Sequence, residues 1–266
     1  MAGRLNNKVV IVAGAGSVGP GWGNGRAIAY RFAQEGAKVF AVDFNADALV
    51  ETVTRVKEVD GEITTWLADV TSSEAVHGLV EACVKTYGRV DILVNNVGGS
   101  RKGGPVQLDE ETWNQQLDFN LKSVFLGCKH VLPIMEEQGA GSIVNISSTS
   151  GIRWTGSAQV GYASAKAGVI QLSRVVAIEY AKKNIRCNTV IPGQMHTPMV
   201  ESRLAGQRAG GDVSQLLAQR QSRIPLPFMG DGIDTANAAL FLASDEARFI
   251  TGTEILVDGG MSVRCD

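Results

Sequence analysis

The sequence has no basic block, no long apolar run and no cysteine pair, and each absence closes off a class of function. Formal net charge is −2 over 266 residues, with 25 Lys and Arg against 27 Asp and Glu. No clustered positive charge is offered to a nucleic-acid backbone, so no nucleic-acid partner is expected. No apolar stretch approaches the ~20 residues of a membrane span, so no membrane partner is expected either. Met1 to Lys8 is polar and lacks the apolar centre of a secretory signal, which makes the cytoplasm the expected location. Cys83, Cys128, Cys187 and Cys265 are scattered with no C-x-x-C spacing, so they read as free thiols, mostly buried. His77, His130 and His196 lie far apart and form no H-E-x-x-H pattern, so no metal is expected.

What the chain does have is apolar content of 44% and charged content of 20%, the balance of a folded globular protein. Its length suits one large α/β domain. Apolar runs of strand length alternate with segments of helical spacing. The strands fall at Lys8 to Ala13, Lys38 to Val42, Ile63 to Ala68, Ile92 to Val94, Ser142 to Ile146, Ile185 to Ile191 and Glu254 to Val257. Helices fall at Asn24 to Gln34, Ala46 to Val59, Ser72 to Tyr87, Asp109 to Glu137 (bent at Pro133), Val160 to Lys182 and Ile233 to Leu242. Residues 194 to 230 show little apolar periodicity and read as irregular or locally helical. The alternation predicts a Rossmann-like, doubly wound fold: a seven-stranded parallel sheet with helices on both faces. No linker-like composition divides it, so residues 1–266 are read as one domain with a lid at about 194–228. In such folds ligands bind beyond the carboxyl ends of the strands.

The first of those strand ends runs into Gly14-Ala15-Gly16-Ser17-Val18-Gly19-Pro20-Gly21-Trp22-Gly23-Asn24-Gly25. Gly14, Gly16 and Gly19 match a dinucleotide fingerprint literally. Helix continuity argues for a different triplet. Pro20 and the glycines behind it would sit inside the helix, where each Gly costs about 1 kcal/mol against Ala. The helix starts well only near Asn24, a good N-cap, so Gly14, Gly23 and Gly25 are taken as the phosphate turn. Residues 15–22 then form an enlarged loop, with Pro20 to Trp22 expected as an ordered bulge near the pyrophosphate or the substrate entrance. The alternative is a flexible glycine-rich loop with no ligand.

Other strand ends carry candidate side chains. Asp43 closes the second strand, where a carboxylate suits ribose hydroxyls and repels a 2′-phosphate. Trp22, rather than a cation, precedes Gly23. Both features favour NAD over NADP, although Asp43 also reads as a turn cap. Tyr162 and Lys166 are four apart on a predicted helix and share a face. A free phenol titrates near pH 10, and a neighbouring ammonium favours the phenolate, so the pair suits acid–base work at a carbonyl or alcohol. On their own they also suit a solvated helix face. Ser147 and Ser148 sit at the end of the fifth strand, where a hydroxyl can meet a substrate oxygen. Asn120 falls inside a long helix, where a solvated amide is the plainer reading.

Taken in order, the Gly14 to Gly25 loop, Asp69-Val70, Asn95-Asn96-Val97-Gly98, Asn120, Ile146-Ser147-Ser148, Tyr162-x-x-x-Lys166, Pro192-Gly193 and Thr197 resemble the short-chain dehydrogenase/reductase family over nearly the whole chain. The resemblance implies a general acid/base at Tyr162, substrate orientation by Ser148, and Lys166 lowering the Tyr162 pKa while binding the nicotinamide ribose. It implies a relay water held by Asn120. Cofactor contacts follow at Gly14, Gly23, Asn24, Gly25, Asp43, Asp69, Val70, Asn96, Gly98, Pro192, Gly193, Met195 and Thr197. The expected cofactor is NAD. The implied reaction interconverts a secondary alcohol and a ketone, with a 3-oxoacyl-carrier-protein reductase using NADPH as the alternative. A non-catalytic NAD-binding sensor or scaffold is the alternative of another class.

The sequence departs from the family pattern in four places. Ala13 stands for the usual Thr, the glycine loop is about five residues longer, and Val97 replaces Ala. The Ser148 to Tyr162 spacing is longer by one residue, which leaves Ser147 and Thr149 open as alternatives to Ser148. Candidate substrate contacts are Gly99, Trp154, Gln159 and His196, with Arg203, Arg208, Arg220 and Arg223 on the lid read mainly as solvated. The helices at 109–137 and 160–182 resemble the family's dimer-forming pair and the C-terminal segment its second interface, which implies a homotetramer.

Overall fold

A computed structural model describes residues 3–208 and 210–265, apart from the side chains at 203, 205 and 208. Along the chain come β1 (Val9–Ala13), α1 (Asn24–Gln34), β2 (Lys38–Asp43), α2 (Ala46–Lys57), β3 (Glu62–Leu67), α3 (Ser73–Tyr87) and β4 (Ile92–Asn95). There follow α4 (Glu110–Leu117), α5 (Ser123–Gln138), β5 (Gly141–Ile146), α6 (Val160–Tyr180) and β6 (Ile185–Pro192). The chain closes with α7 (Ala205–Arg208), α8 (Val213–Gln221), α9 (Gly232–Ala243) and β7 (Glu254–Val257). The sheet order is β3-β2-β1-β4-β5-β6-β7, every pairing parallel, as expected.

β1 shows why these residues form this layer structure. Val10 and Val12 pack on one face with Ile28 and Phe32 of α1 and Leu240 of α9. Val9 and Ile11 pack on the other with Leu79 of α3, Val131 of α5 and Val169 of α6. Successive side chains alternate faces and both faces are covered, so the strand reads as an unbroken apolar run. The chain builds outwards from β1 to β3, then returns beside β1 as β4 and builds the other way. That reversal opens a crevice at the ends of β1 and β4.

The expected helix at Asp109 to Glu137 is interrupted. α4 ends at Leu117, a π-turn spans Asp118–Lys122, and α5 follows. Pro133, where a bend was expected, lies inside α5 without ending it. The carbonyl it deprives of a donor belongs to Lys129, an exposed residue that water can serve. α1 begins at Asn24 as expected, but its N-cap is Gly23 and no side chain caps it. Asn24 is therefore the first helical residue rather than the cap. No helix among the described residues is long and apolar enough to cross a membrane.

Candidate active site

The ends of β1 and β4 are locked to the start of α1. Gly14 has φ +79°, a left-handed conformation that favours glycine. The Asn96 side chain donates to the Gly14 carbonyl at 2.8 Å. Gly25 passes so close that a Cβ there would lie 1.7 Å from the same carbonyl and 2.6 Å from Asn96 Nδ2. With no cap side chain in the way, the first amides of α1 face the crevice. Asn24 Oδ1 is buried and has no partner among the described residues. The loop from 15 to 22 is an ordered bulge. Arg26, 2% exposed, donates to the carbonyls of Gly19 (3.0 Å) and Gly21 (2.6 Å) and to Glu51 Oε2 (2.7 Å). Trp22 packs on Tyr30 and beneath the Arg55 guanidinium.

A cleft of about 1180 Å³ runs from this turn in both directions. At one end stand Asp43, Asp69 and Val70, and at the other Gly98, Gly99, Tyr162, Lys166 and Thr197. Asp43 uses both oxygens locally: Oδ2 accepts from the Gly16 amide at 3.0 Å and Oδ1 from the Asn45 amide at 3.1 Å. Asp69 accepts from the Thr71 amide at 2.9 Å, which turns the chain after β3. Gly14, Gly23, Asn24, Gly25 and Asn96 line the middle. Pro192, Gly193 and Met195 lie at the end of β6 and do not line the cleft. Gly193 donates to the Val257 carbonyl, and the Met195 carbonyl accepts from Arg220.

Tyr162 and Lys166 share a face of α6, with Lys166 Nζ 5.9 Å from the centroid of the Tyr162 ring. Lys166 is 2% exposed and donates to the Ile146 carbonyl at 2.9 Å. Burial pulls its ammonium down to about 8. Gly98 is pressed against it: a Cβ there would lie 3.0 Å from both Lys166 Nζ and Asn120 Oδ1. Asn120 is fully buried in the π-turn. Its Oδ1 accepts from the Gly99 amide at 2.9 Å, and its Nδ2 donates to the carbonyls of Gly99 (3.1 Å) and Gln116 (2.9 Å). The Gln116 carbonyl is the one a regular α-turn would give to the Asn120 amide. The side chain thus repairs the wider turn and pins Gly99.

Three hydroxyls follow β5. Ser147 is buried and donates to the Lys166 carbonyl at 2.8 Å, and Thr149 is buried. Ser148 is half-buried and accepts from the Ser150 amide at 3.2 Å, which leaves its own proton to be donated. Gly151 lets this turn lie directly on α6, since a Cβ there would be 2.7 Å from the Lys166 carbonyl carbon. Arg153 straps the same turn to the end of the chain, donating to the carbonyls of Met261, Ser262 and Arg264.

The candidate substrate residues divide. Gly99 lines the cleft. Gln159 is buried and donates to Ser150 and Thr155. His196 pairs with Glu201 at 3.2 Å, and Trp154 is 70% exposed away from the cleft wall. Arg220 is buried on the Met195 carbonyl and braces 194–228 internally, while Arg223 holds the Thr155 carbonyl and tethers the segment to the body. The side chains of Arg203 and Arg208 lie outside the described residues. Sequence reasoning missed Arg26, Glu51 and Ser17, which hold or line the glycine loop. A signal was present for Arg26: a charge directly ahead of the apolar run Ala27-Ile28-Ala29.

Residues 19–262 match the family model described as enoyl-(acyl carrier protein) reductase. A 3-oxoacyl-(acyl-carrier-protein) reductase FabG from Thermotoga maritima is 39% identical, covering 98% of this chain and 100% of its own. The chain belongs to the short-chain dehydrogenase/reductase family. A solved member from Burkholderia xenovorans is 64% identical with TM-score 0.96 and full coverage of both chains. A carveol dehydrogenase from Mycobacterium avium, solved with NAD, is 34% identical with TM-score 0.90, covering 98% of this chain and 100% of its own. As a short-chain dehydrogenase/reductase, the chain is an oxidoreductase acting on CH–OH groups.

Proposed function

We propose that this protein is an NAD-dependent dehydrogenase that interconverts a secondary alcohol and a ketone, with Tyr162 as general acid/base. The observation that carries the reading is Lys166, an ammonium buried at the floor of the cleft beside the Tyr162 ring. A buried ammonium opposes folding, and such groups cluster at catalytic sites. It also argues against a sensor or scaffold that only binds.

The chain's residues fit a dinucleotide. The glycine turn leaves no room for side chains, the α1 amides suit a diphosphate, and the orphaned Asn24 Oδ1 suits a hydroxyl or amide donor. Asp43 would take the adenosine ribose hydroxyls, Asp69 and Val70 the adenine, and Asn96, Gly98 and Thr197 the nicotinamide half. Pro192, Gly193 and Met195 would act through the backbone that carries Thr197. A bound NAD would supply the hydride acceptor for the carbinol carbon. Ser148 donates to the substrate oxygen and Tyr162 takes its proton. Lys166, near 8, passes the proton on. Both Asn120 Nδ2 protons are engaged, so a relay water would donate to the second lone pair of its Oδ1 or to a backbone carbonyl of the π-turn.

The substrate is a small alcohol or ketone entering beside Gly99, which lines the cleft, with Gln159, His196 and Trp154 beyond that lining as contacts for its outer part. The whole chain acts as one domain with 194–228 as its lid. The free, buried thiols of Cys83, Cys128 and Cys187 suit a reducing cytoplasm. Apolar side chains exposed on α5 and α6, among them Phe125 and Ile178, support a homotetramer.

A panel of secondary alcohols and ketones, assayed with NAD(H) and NADP(H), tests this reading. Turnover with NAD is expected, and Tyr162→Phe is expected to lower it about a thousandfold with NAD binding retained. Turnover that survives the change would remove Tyr162 from its role. The FabG relative favours a second reading, an NADPH-dependent 3-oxoacyl reductase, which faster turnover with NADPH and a 3-oxoacyl substrate would support. Tight NAD binding without turnover on any substrate would favour the sensor.

A further inference from the structure

The bulge at 15–22 is anchored from behind, not from the cleft. Besides the carbonyls of Gly19 and Gly21, Arg26 reaches Glu51 Oε2 at 2.7 Å and Thr52 Oγ1 at 3.3 Å. Glu51 Oε1 accepts from the Gly21 amide at 3.3 Å, and Thr52, fully buried, donates to the Ala15 carbonyl at 2.9 Å. The Ser17 amide donates to the Ala48 carbonyl at 3.3 Å. α2 therefore holds the bulge along its length. Between the anchored Ala15 and Ser17, the Gly16 amide donates to Asp43 Oδ2 at 3.0 Å.

We infer that the bulge is a second cofactor-selecting element, in which Arg26 and Glu51 are positioning residues that fix the Asp43 carboxylate through the Gly16 amide. The inference rests on the reading of Asp43 as the residue that meets the adenosine ribose. Selection between NAD and NADP depends on whether that carboxylate can turn away from a 2′-phosphate. Here it cannot. Oδ1 is held by the Asn45 amide and Oδ2 by Gly16. The backbone of Gly16 fills the space behind it so tightly that a Cβ at 16 would lie 2.7 Å from both Asp43 Oδ2 and Ala48 Cβ. An added phosphate meets a negative charge with no route of retreat. Arg26 and Glu51 do not line the cleft, so loosening them changes the rigidity of Asp43 without removing a cofactor contact.

The experiment is calorimetric titration of the full-length protein with NAD and with NADP, no substrate present. The readout is the ratio of the two dissociation constants. Asp43→Asn removes the charge and sets the largest change. Glu51→Ala and Arg26→Lys are expected to lower the preference for NAD at least tenfold, towards the Asp43→Asn value. Glu51 is partly exposed, so its variant carries the test if a lysine buried at 26 prevents folding. If both variants weaken NAD and NADP equally, leaving the ratio unchanged while Asp43→Asn alters it, the bulge is merely structural and the inference falls. If Asp43→Asn itself leaves the ratio unchanged, the ribose reading falls, and the inference with it.

Discussion

Lys166 shows how a single residue binds activity to stability. Its ammonium is buried with one carbonyl for a partner, and its pKa falls from the ordinary 10.5 to about 8. Below about pH 8 both folded and unfolded chains carry the proton, and the whole penalty of burial is present. Between there and 10.5 the unfolded chain holds more protons, so stability rises with pH across that window. Lys166→Met is therefore expected to raise the melting temperature at pH 7, by a free energy of order 3 kcal/mol at most. The Ile146 carbonyl, left without its donor, subtracts from that gain. The advantage should shrink as pH approaches 10.5, and turnover should be lost. Melting curves of both proteins at pH 7 and pH 10 check the sign, and an equal difference at both would separate the effect from the charge.

At the scale of elements, the strand-to-helix junction of β1 and α1 was legible because helix physics restricts where α1 can start. Pro20 and four nearby glycines push the start to residue 24 whatever the ligand. The same physics predicts that Gly25→Ala is not tolerated. Its methyl would meet the Gly14 carbonyl and Asn96, and relief by shifting the turn should cost about 1–3 kcal/mol. Loss of NAD binding in titration, with a lowered melting temperature, is the expected result. The π-turn at Asp118–Lys122 was not legible. A π-turn places one extra residue in a helix of unchanged periodicity on either side, and Asn120 has the propensity of many other residues. What marks it is the partner of its amide, the Gly99 backbone, which only tertiary structure supplies. Spacing left three hydroxyls open: Ser147 and Thr149 are buried and Ser148 is half-buried, while Ser147 is the one that lines the cleft.

For the whole molecule, alternating strand and helix patterns carried the sheet, its parallel sense and the edge on which the cleft lies. They did not carry what lies on the outer surface. Val175 and Ile178 on α6 are 54% and 74% exposed, one turn apart, with Phe125 of α5 at 49%. If these helices join copies of the chain, Val175→Lys with Ile178→Lys should divide the assembly and leave the fold intact. Light scattering on the eluted protein, beside its circular dichroism, would read that directly, and an unchanged mass would place the contact elsewhere. The Arg153 strap matters in time as well as in space. The turn that carries Ser148 is fastened to a carbonyl 108 residues further along the chain. The carboxyl ends of β1 and β4 are joined over a separation of 82, by the bond from Asn96 to the Gly14 carbonyl. Contacts between distant parts of a chain form late, because the intervening loop must be closed first. The dinucleotide half waits for the same late segment, because β1 packs on Leu240 of α9, so both halves of the cleft are completed together.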